Sequence, residues 1–181
     1  SSMSANTTGD NNCAFGKNSL AANTTADNNT AVGLDALQAN TTGDSNVAVG
    51  YVALHSNTTA EGNHAFGTWS LYGNTTGEHN TAVGRSTLFN NTTGSYIVAM
   101  GRNALSGNTT ADYNTALGYY SLAANTTGAA NVAVGANALD ANTTGNYNNA
   151  FGTYALTNLT TGSNNTSLGH NSLADTSTGD N

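Results

Sequence analysis

The sequence predicts an all-β fold, a parallel β-solenoid of the β-roll type, on three observations. The first is a fixed period of 17 residues: Asn-Thr-Thr begins at Asn6, Asn23, Asn40, Asn57, Asn74, Asn91, Asn108, Asn125 and Asn142 with no slip in register. Leu159 and Thr176 occupy the next two starting positions. A short, constant period marks a stack in which each unit buries its apolar side against the next copy. The second observation concerns two apolar columns, counting the NTT asparagine as position one. Position fifteen is leucine in all ten copies, from Leu20 to Leu173, and position ten is a large apolar residue in all ten, from Phe15 to Leu168. The third is glycine at position eleven in every copy, from Gly16 to Gly169.

Within one coil these positions read in order. Two short apolar segments flank a glycine that tolerates positive φ, which predicts two short strands joined by a tight turn. The NTTG segment makes the second turn, with Gly or Ala at position four. β-Branched residues, Asn and Gly fill the repeated positions without a helical stripe, which argues against helix. Position nine is alanine in nine copies and Ser167 in the tenth. Position seven is asparagine in nine of ten copies, with Ile97 as the exception, and suits an amide ladder along the rod. Burial of positions ten and fifteen is expected to contribute ~3–6 kcal/mol per coil. Such a thin core calls for thorough laddering or for several chains packed together.

Ten full copies run from 6 to 175, with partial copies at 1–5 and 176–181, so residues 1–181 read as a single solenoid array. Ser1 to Ala5 fit the last five positions of a copy, with Met3 in place of leucine, and Asn181 falls six residues into another. The chain therefore reads as a window of a longer fibre. Coils ~4.8 Å apart would make a rod roughly 50 Å long.

Composition narrows the function classes. The chain is 37% hydrophobic and 7% charged, without proline, and this would suggest disorder if its apolar residues were not periodic. A net charge of -7, with Lys17, Arg85 and Arg102 as the only basic residues, argues against a nucleic-acid partner. No apolar run is long enough for a membrane span. Cys13 is the single cysteine, so no internal disulfide is available.

The run NVAVG at Asn46–Gly50, with NTAVG at Asn29–Gly33 and Asn80–Gly84, NTALG at Asn114–Gly118 and NVAVG at Asn131–Gly135, resembles the head repeats of trimeric autotransporter adhesins. Related repeats occur in phage and bacterial tail fibres. The resemblance implies a left-handed parallel β-roll, a homotrimer, and display outside the cell or on a virion surface. The family's period is shorter, and the NTT turn is an addition to it.

Candidate sites follow the columns. The nine NTT asparagines from Asn6 to Asn142 are also N-glycosylation sequons, and Asn158 restores one beside Leu159 through Thr160. Asn28, Asn90, Asn164 and Asn165 add further matches. The competing reading is a turn asparagine that satisfies backbone groups, with stacked threonines beside it. Position five is acidic at Asp10, Asp27, Asp44, Glu61, Glu78, Asp112 and Asp180. These acids are weak candidates for a divalent cation held by oxygen ligands, and a solvated turn is the plainer reading; Ca²⁺ is disfavoured because the glycine-aspartate nonapeptide of calcium solenoids is absent. Exposed aromatics at variable positions suit a carbohydrate or packing surface. His55, His64, His79 and His170 fall at four different repeat positions and form no catalytic constellation, so the expectation is a non-enzyme without cofactor, save for covalent glycans. The leading expectation is a structural, self-associating subunit of an extracellular fibre or stalk, as a homotrimer or end to end. The alternative is an adhesin or tail-fibre segment gripping a surface glycan, and an ice-binding rod stands third.

Overall fold

The computed structural model describes residues 1–179, so position-five Asp180 lies outside the described residues. The fold is a parallel β-solenoid with 17-residue coils. Ten three-residue strands, from β1 (Cys13–Phe15) to β10 (Thr166–Leu168), form one sheet in sequential order. Each strand pairs in parallel with the residue 17 positions on, as Ala31 pairs with Ala48 and Ala48 with Ala65. The sheet advances nine steps of ~4.8 Å, about 43 Å in all.

Each coil contains one strand, at positions eight to ten, where two were expected. The reason lies in the backbone of the second apolar segment. Positions thirteen and fifteen adopt positive φ in every complete coil, as at Ser86 (56°) and Leu88 (52°). Residues alternating in handedness turn the chain instead of extending it. Pairing between coils survives this turn but changes direction residue by residue. The Asp35 N–H donates back to Lys17 O at 2.9 Å, whereas the Leu37 N–H donates forward to Ala53 O at 3.0 Å. The backbone ladder thus encircles the coil although only one side is a sheet.

The core also differs from expectation. Position ten was expected inside; it faces out, with Phe66 at 41% and Met100 at 45% exposure. Side chains alternate across a strand, so once alanine at position nine points inward, positions eight and ten must point outward. The interior is a column of alanines (Ala31, Ala48, Ala65 and their copies) facing the leucines of position fifteen, with Ala, Ser or Thr of position fourteen between them. The glycine at position eleven sets the closeness of successive coils. Gly50 has φ 142°, and a Cβ there would lie 2.6 Å from the carbonyl carbon and oxygen of Gly67. No side chain fits that approach.

Candidate functional site

The NTT asparagines form a buried amide ladder. Asn74 is representative: its Nδ2 donates to Asn57 Oδ1 at 3.0 Å and to Gly77 O at 2.9 Å, and its Oδ1 accepts from Asn91 Nδ2 at 2.8 Å. Asn23, Asn40, Asn57, Asn74, Asn91, Asn108, Asn125 and Asn142 are all fully buried, and Asn6 in the first coil is half-buried. Both Nδ2 hydrogens are engaged at each internal rung, so a sugar bonded to that nitrogen has neither a free hydrogen to replace nor a path to solvent. The folded coil has no place for N-glycans at these eight positions. The sequons at Asn158, Asn28, Asn90 and Asn164 are exposed, while Asn165 is buried. The ladder ends where Leu159 replaces asparagine, and Asn142 Oδ1 is left without a partner there.

The two threonines of the triplet have separate duties. The first ties successive coils together: Thr75 Oγ1 donates to Thr92 O at 3.0 Å, and the same carbonyl accepts the N–H groups of Thr75 and Thr76. The second threonine is exposed in every coil, from Thr8 to Thr161. Three donors on one carbonyl explain why the turn holds its shape without proline.

A second amide ladder runs through position seven. Asn63 Oδ1 accepts the Asn80 N–H at 3.0 Å, and Asn63 Nδ2 donates to Gly77 O at 2.8 Å. Every asparagine of this column except Asn29, whose Nδ2 finds no partner, links the strand side of its coil to the NTT turn that follows. Ile97 interrupts this ladder and offers no oxygen to the Asn114 N–H, though its own N–H still reaches Asn80 Oδ1 at 3.0 Å. Neither ladder is visible in hydropathy; only the period betrays it.

The acidic column has a structural task. Asp27 Oδ1 accepts the Asp10 N–H, Asp44 Oδ1 accepts the Asp27 N–H, and Asp112 Oδ1 accepts the Ser95 N–H, each at 2.7 Å. Asn146 and Ser163 fill the same role for Ala129 and Asn146. A short acceptor at position five therefore satisfies the N–H of the coil before it. That requirement explains Asp, Asn and Ser in one column better than solvation alone does. Glu61 and Glu78, one methylene longer, make no such bond.

The aromatics, scattered in sequence, stack in space. His55, Tyr72 and Phe89 at position sixteen lie with centroids 5.3 and 5.2 Å apart, and His79, Tyr96 and Tyr113 at position six with 5.4 and 5.3 Å. Arg85 lies over Trp69 at 5.0 Å and Arg102 near Tyr119 at 5.9 Å. Tyr51, Val52, Trp69, Tyr72 and Phe89 line a groove of about 340 Å³. An adjoining groove of about 300 Å³ shares Trp69 and Phe89 and adds Ser86, Asn90, Asn103 and Ser106. Spacing of 17 could have revealed the ring stacks, because Tyr72 and Phe89 are one period apart.

His64 lies in the outer row of the sheet and His170 at position twelve, so the structure does not bring the four histidines together. Cys13 is a free, exposed thiol on β1. Among the described residues no helix is long and apolar enough to cross a membrane. Comparisons with protein-family models, curated proteins and solved structures found no match for this chain.

Proposed function

We propose that the chain is a rigid structural rod, a segment of an extracellular fibre or stalk that associates with further copies of itself. The observation that carries this reading is the continuity of the load path: a backbone ladder, two amide ladders and a leucine-alanine core follow the same axis from coil to coil. A rod built this way resists bending because every coil is bonded to its neighbours around most of its perimeter. Extracellular placement is supported by the resemblance to adhesin head repeats.

The outer face of the sheet is the surface for a second copy. Position ten presents Phe, Val, Met and Leu throughout, and position eight adds Val and Thr in seven of ten coils. That strip is about 43 Å by 10 Å, roughly 400 Å² per chain, about half of what one partner in a standard stable interface buries. Association therefore gains strength with the number of coils. Sedimentation of this chain beside a chain of twice the coil number tests the reading. The longer rod should self-associate at lower concentration, and Met100→Asp with Phe66→Asp should abolish it. Monomeric behaviour of both lengths at all concentrations would sink the fibre proposal.

The groove around Trp69 favours a second reading, a binding segment for an uncharged surface glycan. Aromatic walls beside serine and asparagine side chains suit sugar rings with their hydroxyls. Glycan-array binding lost on Trp69→Ala would move the weight to this reading.

A further inference from the structure

The rules of the repeat fail together at one place on the rod. Position five holds a short acceptor for the preceding coil's N–H in every other coil but that of Ala129, whereas Glu61 and Glu78, the only glutamates in the chain, sit there in consecutive coils. Among the described residues neither carboxylate has a hydrogen bond or ion pair. Position six is glycine only at Gly62 and histidine only at His79, again in those two coils. Gly62 has φ 67°, and a Cβ added to it would run into His79 Nδ1 and lie 3.0 Å from Cε1. The imidazole thus fills space that only glycine leaves open. Its other face rests on Tyr96, which stacks in turn on Tyr113.

The geometry points to a divalent transition-metal site, suited to Zn²⁺, formed by Glu61, Glu78 and His79 and bridging the fourth and fifth coils. One ligand atom from each of the three residues lies within 4.8 Å of the others, and all three are open to solvent. Zinc bonds of ~2.0–2.2 Å in a tetrahedron require ligand atoms about 3.4 Å apart. The two glutamate side chains close that difference by rotation, while the ring stack holds the imidazole. Water completes the coordination. An imidazole with two carboxylates fits Zn²⁺ better than Ca²⁺, which takes about six to eight oxygens. Two carboxylates one coil apart repel each other, and the basic side chains all stand at position twelve, beyond the sheet. A divalent cation removes that repulsion and pins two coils together. The inference is independent of the rod's biological role.

The test is a calorimetric titration of Zn²⁺ into the whole metal-free chain near neutral pH. One site per chain is expected, weakened roughly tenfold or more by His79→Gln, Glu61→Gln or Glu78→Gln and unchanged by Asp10→Asn. Gly62→Ala keeps all three ligands and should also weaken binding, because it displaces the imidazole. In NMR spectra the His79 Cε1–H signal should shift with the first equivalent while those of His55, His64 and His170 stay in place. Equal shifts of all four histidines, no saturation at one equivalent, or wild-type affinity in His79→Gln would each overturn the assignment. Circular dichroism of each variant separates loss of ligand from loss of fold.

Discussion

Replacing Asn74 by alanine would cut the buried ladder near the middle of the rod. The change removes three hydrogen bonds, two donated by Nδ2 at 3.0 and 2.9 Å and one accepted by Oδ1 at 2.8 Å. It strands Asn57 Oδ1 and one Asn91 Nδ2 hydrogen inside the coil, while Gly77 O keeps the bond from Asn63 Nδ2. At about 1–3 kcal/mol for each of the two buried groups left unpaired, the loss is roughly 2–6 kcal/mol. Water entering the vacated volume offsets part of this penalty. In a quasi-one-dimensional stack such a loss weakens the interfaces on both sides of one coil, and the flanking segments then unfold at different denaturant concentrations. The assay is urea unfolding followed by circular dichroism and tyrosine fluorescence, with Asn90→Ala as the control on an exposed asparagine. The control should change stability by less than about 0.5 kcal/mol. An Asn74→Ala curve that overlays the control would refute the ladder as a source of stability. It would also reopen the NTT asparagine to the glycan reading.

Gly50→Ala should cost several kcal/mol, on the order of 4 or more, because its Cβ has no room against Gly67; thermal unfolding would show a large drop in midpoint or no folded protein. Leu88→Ala should lose about 2–5 kcal/mol of packing, and Leu88→Gly no more than that, since φ 52° favours glycine and reverses its usual penalty. A glycine variant clearly less stable than the alanine variant would contradict the left-handed backbone. Asp112→Asn should be nearly neutral and Asp112→Ala about 1 kcal/mol destabilising, because only the latter loses the acceptor of the Ser95 N–H; equal effects in urea melts would restore a purely solvating role. Ile97→Asn should lie within about 1 kcal/mol of the parent: the restored ladder bonds offset the lost burial of one isoleucine, and a loss as large as that of Leu88→Ala would argue against the second ladder.

The period, the parallel stacking, the turn glycine and the buried leucine column were determined by the sequence itself. They are one-dimensional properties: a residue recurring every 17 positions must meet its own copy when coils stack, whatever the coil's shape. Which way each column faces was decided only in three dimensions. Val49 and Leu54 are equally apolar on paper, yet Val49 is half-exposed and Leu54 fully buried, because Ala48 claims the narrow interior between Val47 and Val49. The same closure turns Asn40 inward, where its amide bonds to the coils on both sides, and leaves Asn158 outside. Positive φ at positions thirteen and fifteen, carried by residues with side chains, folded the second apolar segment into a turn where strand propensity expected an extended run. Glu61 and Glu78 were legible as members of the acidic column, and His79 as one of four histidines at different repeat positions. That they converge on one point, with Gly62 making the room, depends on the rise between coils and the tilt of a ring, which no single column records.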